Sequence, residues 1–318
     1  MGEQILLADI GGTNARFACL DGAHLGPTVS VAVESYPRFD QAVTAFLSRS
    51  GTRTTVSGAV LAVAGVVEKN HACITNSSWV VDAAELQSAF SLERVLIIND
   101  FEAVAWSLPR LNEADLFPIG GGERVANAPA VVLGPGTGLG LACFLPRADE
   151  SIVISTEGGH VTLPGTSRRE DAVIAHLRER FDHVSAERAV SGLGLVNLYE
   201  AIGALEGAAF PLRNGVEITD AAVNGRCGLC REALDMFCAM LGTVAGNAAL
   251  TFGARGGVYI AGGIPPRITE YLAGSQFRAR FEAKGRFRPY VAAISTRVIV
   301  HPEPAFIGLR SLARQAFD

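Results

Sequence analysis

At 318 residues the chain is long enough for two domains of ordinary size. Hydrophobic residues at 49 % and charged residues at 19 % describe a well-filled globular core and exclude a disordered chain. The formal net charge of −5, with lysine only at Lys69 and Lys284, argues against a nucleic-acid partner, which selects a basic face.

Two short apolar runs, Ile5–Asp9 and Ala15–Leu20, read as strands joined by a tight turn, and Val29–Glu34 as a third. Phe39–Ser48 has helical spacing and leads to a strand at Ser57–Val63. Asp82–Phe90 suits a helix, Arg94–Ile98 a buried strand ending at Asn99-Asp100, and Phe101–Leu108 a helix stopped by Pro109. From Pro109 to Ala130 the glycines and prolines predict a break. The expected division is residues 1–110 with 301–318 in a small α/β domain and 111–300 in a large one. Beyond the break, Ala130–Gly134 and Leu139–Leu145 predict a second hairpin. Helices are expected at Arg169–Phe181, Leu195–Ile202, Arg231–Phe252 and Ile268–Phe281, and strands at Val258–Ala261 and Arg297–His301. The tail, Ala305–Phe317, has helix spacing and is expected to pack back on the N-terminal domain. Alternating strands and helices define an α/β fold.

The N-terminus carries Glu3 and Asp9 and lacks the basic start of a secretory leader, so a cytoplasmic protein is expected. The apolar stretch Ala233 to Phe252 contains Asp235 and Asn247 and reads as a buried helix, so no membrane partner is expected. Cys227 and Cys230 form one C-x-x-C without a second pair at zinc-ribbon spacing; free thiols beside a helix are the plainer reading.

The first hairpin, ADIGGTN (Ala8, Asp9, Ile10, Gly11, Gly12, Thr13 and Asn14), is rich in groups that suit phosphate. Glycines can reach positive φ at little cost and let backbone N–H groups approach an anion. Asp9 makes sense beside phosphate only with a hard cation such as Mg²⁺ between them. An ordinary Gly-rich hairpin is the competing reading. GPGTGLG (Gly134–Gly140) shifts that balance, because two such hairpins would grip a polyphosphate from opposite sides. Gly262-Gly263, following a third strand, would accept the flat face of an adenine. No G-x-x-x-x-G-K-[ST] loop is present, and GPGTGLG lacks the dinucleotide spacing.

DIGGTNAR, TNSSW, INDFEAV, GPGTGLG, EGGH, ERAVSGLGL, YIAGGIPPR, KGRF and IVHPEP, in this order, resemble bacterial glucokinases of the ATP-dependent cytosolic type. These belong to the superfamily of sugar kinases, actin and heat-shock chaperone ATPases. The resemblance implies a two-domain actin-like ATPase (ribonuclease H-like) fold with an interdomain cleft. It implies ATP at Ala8–Asn14, Gly136, Thr137, Gly138, Gly262 and Gly263, Mg²⁺ held through water by Asp9, and a homodimer. The related repressor–kinase branch carries a cysteine-rich zinc motif after its E-G-x-H element; no cysteine follows His160 until Cys227, so no structural zinc is expected.

Asp100 lies where a strand runs out, a place where ligands meet α/β chains. On residues alone a helix N-cap for Phe101–Leu108 is the favoured reading. The resemblance makes it the base that accepts the sugar 6-hydroxyl proton. Asn99, Glu157, His160 and Glu187 then match positions that bind sugar hydroxyls, with Asn76 a further candidate and glucose the implied substrate. Trp79 reads as core. A kinase for another hexose stays open. A transcription regulator on the same fold would need an added helix-turn-helix domain, for which a hairpin so near Met1 is expected to leave no room. A chaperone-like ATPase would need a separate substrate-binding domain.

Overall fold

The computed structural model describes residues 4–49, 56–74, 77–207 and 209–317. The chain divides into two compact units, Met1–Leu111 with Pro302–Asp318, and Asn112–His301.

The first unit begins with strands β1 (Gln4–Ile10), β2 (Asn14–Asp21), β3 (His24–Leu25) and β4 (Val29–Ala32), then helix α1 (Phe39–Arg49) and strand β5 (Val56–Val63). Strands β6 (Val67–Glu68), β7 (His71–Cys73) and β8 (Val80–Asp82) form a small sheet of their own, followed by α2 (Ala83–Phe90), β9 (Arg94–Asn99) and α3 (Asp100–Ser107). The main sheet runs β3-β2-β1-β5-β9, with β4 also on β2. The β1–β2 pair is antiparallel; β1, β5 and β9 are parallel, and buried on both faces as continuous apolar runs predict. Phe17 stacks on Phe39 and Phe46 beneath the sheet, and Trp79, 1 % exposed, joins them and donates its Nε1–H to the Tyr36 carbonyl at 2.7 Å. Trp79 is thus core.

The second unit holds β10 (Leu116–Gly120), β11 (Ala130–Pro135), β12 (Leu139–Leu145), β13 (Ile152–Thr156), β14 (Val258–Ile260) and β15 (Thr296–Ile299), in the order β10-β15-β14-β11-β12-β13. Its helices are α4 (Arg168–Arg180), α5 (Gly192–Leu205), α6 (Gly215–Val223), α7 (Gly228–Phe252), α8 (Thr269–Gly274), α9 (Phe277–Glu282) and α10 (Arg288–Ala292). The long α7 is the axis of this core: its Phe237, Met240 and Leu241 are fully buried. It is apolar enough to cross a bilayer by length and composition, but 83 % of its most apolar window is buried within the protein.

The last helix, α11 (Pro304–Phe317), returns to the first unit and packs on α3, β1 and β5. Gly308 lies so close to the Ala103 carbonyl that any side chain there would collide with it. Arg94 ties the far end down, its guanidinium donating to the Ala316 carbonyl at 2.6 Å.

The sequence reading needs four corrections. The expected break at 109–130 contains strand β10; it sits at a sheet edge, where Pro118 costs no ladder bond toward a further strand. The expected helix Ile268–Phe281 is two helices, interrupted at Ser275, whose extended backbone (ψ −176°) cannot continue a helix. The expected strand Val29–Glu34 stops at Ala32 and tightens into a 3₁₀ turn at Val33–Ser35. Helices α6 and α10, the small sheet β6–β8 and the short edge strands β3 and β13 are not anticipated in the sequence.

Candidate active site

In the first unit the parallel register aligns Ile10 with Val63 and Val63 with Asn99. The three strands therefore end on one line, and the Ala64 amide donates to the Ile10 carbonyl at 2.8 Å just beyond it. The Gly11–Thr13 turn and Asn99-Asp100 project from this carboxyl edge. The turn is closed by the Gly11 N–H donating to the Asn14 carbonyl at 3.0 Å, and the Thr13 carbonyl accepts from the Val33 N–H at 2.9 Å. Ala8 and Ile10 are fully buried side chains within the ladder, so any part they take in nucleotide binding falls to their role in carrying Asp9.

Cross-strand pairing sets Arg16 opposite Asp9, with Nη1 3.5 Å from the carboxylate. Burial raises the Asp9 pKa; Arg16 opposes that shift and the Glu303 carboxylate adds to it. A partly desolvated hard-oxygen donor whose negative charge is disfavoured fits a small divalent cation, which would relieve that cost. Arg16 was missed as a site residue, although hairpin closure alone puts it across from Asp9. Glu303 had only its place in IVHPEP.

At the end of β9 it is Asn99, not Asp100, that caps α3: its Oδ1 accepts from the Phe101 N–H at 2.9 Å, while its Nδ2 donates to the Gly65 carbonyl at 3.2 Å. Asp100 is the first helical residue, and its Oδ1 shares the same Phe101 N–H at 2.9 Å. The capping role that competed for Asp100 is filled by its neighbour. Glu102, in the same first turn, has its pKa raised to about 6 by burial, against hydrogen bonds from Trp106 and the Asn99 backbone.

In the second unit, the β11–β12 turn Gly136-Thr137-Gly138 is braced by segments far along the chain. The Gly136 N–H donates to the Gly138 carbonyl at 2.8 Å, and the Gly136 carbonyl accepts from the Gly192 N–H, also at 2.8 Å, at the start of α5. One Glu187 oxygen accepts from the Leu139 N–H at 2.9 Å and lies where a Gly138 side chain would be. Glu187 thus spends one oxygen on the turn, a structural use that the sugar-binding expectation did not include. Gly262, at φ +88°, lies against the Pro135 carbonyl, so a methyl group there would meet both backbone strain and a clash. Gly11, Gly12, Gly136 and Gly138, by contrast, avoid the left-handed region. The positive φ open to Gly11-Gly12 is not adopted, and in both turns the glycines supply bare backbone. An added Cβ at Gly136 or Gly263 would meet no protein atom within 4 Å, and at Gly11 only the Asn14 carbonyl at 3.4 Å.

Glu157 and His160 bracket a 3₁₀ turn, Gly158–His160, whose Gly159 presses on the Leu139 carbonyl. Both side chains are more than half exposed, with His160 Nε2 3.8 Å from the Glu157 carboxylate. The second unit therefore gathers the Gly136–Gly138 turn, Glu157, His160, Glu187 and Gly262-Gly263 around the ends of β11, β12 and β14. Asn76 lies outside the described residues. No cluster of three or more His, Cys, Asp or Glu side chains able to hold a metal occurs among the described residues.

An actin-like two-domain α/β fold carrying glycine turns at its strand ends is the architecture of sugar kinases. The chain is similar over 99 % of its length to a crystal structure of glucokinase from an Antarctic psychrotroph (TM-score 0.89, 33 % identity, all of that chain covered). A ROK family glucokinase from Streptomyces griseus, solved in complex with glucose and AMPPNP, shares the fold at TM-score 0.66 and 19 % identity, covering 98 % of this chain and 100 % of that one. The glucokinase family model matches residues 6–316. A glucokinase of Paramagnetospirillum magneticum is 47 % identical over 315 residues, 98 % of each chain. The chain belongs to the glucokinase family and is an ATP-dependent sugar kinase.

Proposed function

We propose that the protein transfers the γ-phosphoryl group of ATP to the 6-hydroxyl of glucose, giving glucose 6-phosphate and ADP, with Asp100 as the base. The supporting observation is the alignment of Ile10, Val63 and Asn99 at one sheet edge, which puts the acidic residue that opens α3 and the Gly11–Thr13 turn at the same carboxyl edge, two strands apart. Phosphoryl transfer needs placement and charge stabilisation more than covalent help, so a fixed carboxylate and bare backbone N–H groups are the right parts.

In this reading Asp100 takes the proton of the 6-hydroxyl as that oxygen attacks phosphorus. Asn99, held by Gly65, orients the sugar, and Glu157, His160 and the second oxygen of Glu187 pair with its other hydroxyls. Leaving such partners unpaired penalises sugars that lack a hydroxyl. The Gly11–Thr13 and Gly136–Gly138 turns offer N–H groups to the phosphates, and Gly262-Gly263 an open face to the base. Mg²⁺, when bound, would neutralise phosphate charge, with Asp9 ordering its water. The family resemblance and the net charge of −5 support a cytoplasmic homodimer without nucleic-acid or membrane partners.

A coupled assay tests the assignment: Asp100→Ala should lower kcat by roughly 10²–10⁴ with little change in KM for ATP. Turnover close to that of the unaltered chain would remove Asp100 from the reaction. A sugar panel in the same assay should give the highest kcat/KM with glucose; a higher value with mannose, fructose or an N-acetylated sugar would reassign the substrate.

A further inference from the structure

Cys227 and Cys230 stand apart from the phosphoryl-transfer residues. Cys227 is the N-cap of α7: its backbone is extended (φ −151°, ψ 116°) and its Sγ accepts the Cys230 N–H at 3.2 Å. Caps are usually oxygen side chains, because a strong acceptor must satisfy the open N–H groups of the first turn. Sulfur fills that role far better as thiolate than as thiol, so the position favours ionised Cys227. Cys230, three residues on, is fully buried behind it, whereas Cys227 is half-buried and reaches solvent. The approach to the pair is fixed: the Arg226 N–H donates to the Ala221 carbonyl at 2.9 Å, its guanidinium pairs with Asp220, and the Arg231 N–H donates to the Cys227 carbonyl at 3.0 Å.

The electrostatics separate the two sulfurs. Burial alone would raise the Cys227 pKa. Hydrogen bonds from the Cys230 thiol and N–H, the nearby Arg213 guanidinium and the Leu229 N–H outweigh burial and lower it. Cys230 is pushed up to about 12, first by burial and then by its contact with Cys227. An acidic, reachable sulfur in front of a buried, protonated one is the division of labour that thiol–disulfide exchange requires.

The geometry points to a reversible dithiol–disulfide site at the start of α7, with Cys227 as the attacking sulfur, Cys230 as the resolving sulfur and low-molecular-weight disulfides as the oxidant. The Cys227 thiolate attacks one sulfur of the disulfide RSSR, forming a mixed disulfide and releasing RS⁻. Cys230 gives its proton to that thiolate or to solvent and attacks Cys227 Sγ, forming the internal S–S bond and expelling the second RS⁻. The protein dithiol loses two electrons and two protons; RSSR is reduced to two RSH. This chemistry stands independently of the proposed sugar phosphorylation.

The test uses the full chain, reduced and then equilibrated without oxygen in glutathione buffers of rising disulfide content, quenched in acid and mapped by mass spectrometry. The peptide spanning residues 227 and 230 should become about 2 Da lighter, and return on adding dithiothreitol. Cys230→Ser should trap glutathione on Cys227, and Cys227→Ser should abolish oxidation of the segment. At neutral pH Cys227 should react with iodoacetamide faster than the exposed Cys73. The proposal is overturned if glutathione accumulates on Cys227 in the unaltered chain with no internal bond, or if Cys73 oxidises while Cys227 and Cys230 stay reduced.

Discussion

The two glycine turns look alike in sequence and are supported in opposite ways. The Gly11–Thr13 turn is held by its own neighbourhood: strands β1 and β2, the Gly11–Asn14 bond and the nearby Val33 amide. The Gly136–Gly138 turn is held from a distance, by Glu187, by Gly192 at the start of α5 and by the stretch around Gly262. The first is therefore a local object, built almost wholly by the strands that flank it. The second is assembled by tertiary contacts, so changes more than fifty residues away in sequence should reshape it.

Substitutions can break this contrast. The largest effect on stability is expected at Gly262→Ala, where left-handed φ and the Pro135 carbonyl act together; about 2–4 kcal/mol should be lost in denaturant unfolding, with weakened nucleotide binding. A loss below about 0.5 kcal/mol would mean that the loop relaxes freely. Next comes Glu187→Ala, which strips the acceptor from the Leu139 N–H; about 1–3 kcal/mol of local order should go, read as a rise in KM for ATP as well as for sugar. Glu187→Gln keeps an acceptor oxygen and should recover the ATP constant more than the sugar constant. If only the sugar constant moves in both variants, the brace is idle.

Glu102 gives a pH signature in the locally built region. Its folded pKa, about 6, lies above its ordinary value of 4.5, so its ionisation opposes folding. The penalty is absent below pH 4.5, grows as pH rises toward 6 and is complete above it. Glu102→Gln should thus stabilise the protein by about 1–2 kcal/mol at pH 7.5 and leave it unchanged at pH 4. An equal effect at both pH values would point to packing. The smallest effect on stability is expected at Gly11→Ala, within about 0.5 kcal/mol, because neither φ nor space forbids a methyl group. ATP affinity should nonetheless fall, since that methyl group would cover backbone offered to phosphate.

How much of this was legible beforehand follows the same contrast. Hairpin β1–β2, the buried strands β5 and β9 and the long α7 announce themselves through local apolar runs; the strand limits match to within about one residue, while α7 starts at Gly228, ahead of the expected Arg231. Strand β10 was hidden because an edge strand tolerates Pro118 and so resembles a linker. Helix α6 was hidden because Asn214, which caps it in a reciprocal pair with Glu217, follows a stretch that reads as loop. At the site, the family resemblance singled out Asp100, but only the bond from the Phe101 N–H to Asn99 Oδ1 shows that Asn99 takes the cap. The grip of Glu187 on Leu139 joins residues 48 apart in sequence, and no local pattern encodes it.

Helix α11 carries a consequence for biosynthesis. Its buried Phe306, Leu309 and Leu312 complete the floor under α3, the helix that begins with Asp100. A nascent chain leaving the ribosome therefore exposes the underside of that helix until residues 304–317 emerge, while residues 112–301 already possess a whole core of their own. The half that is made first is the half that must wait.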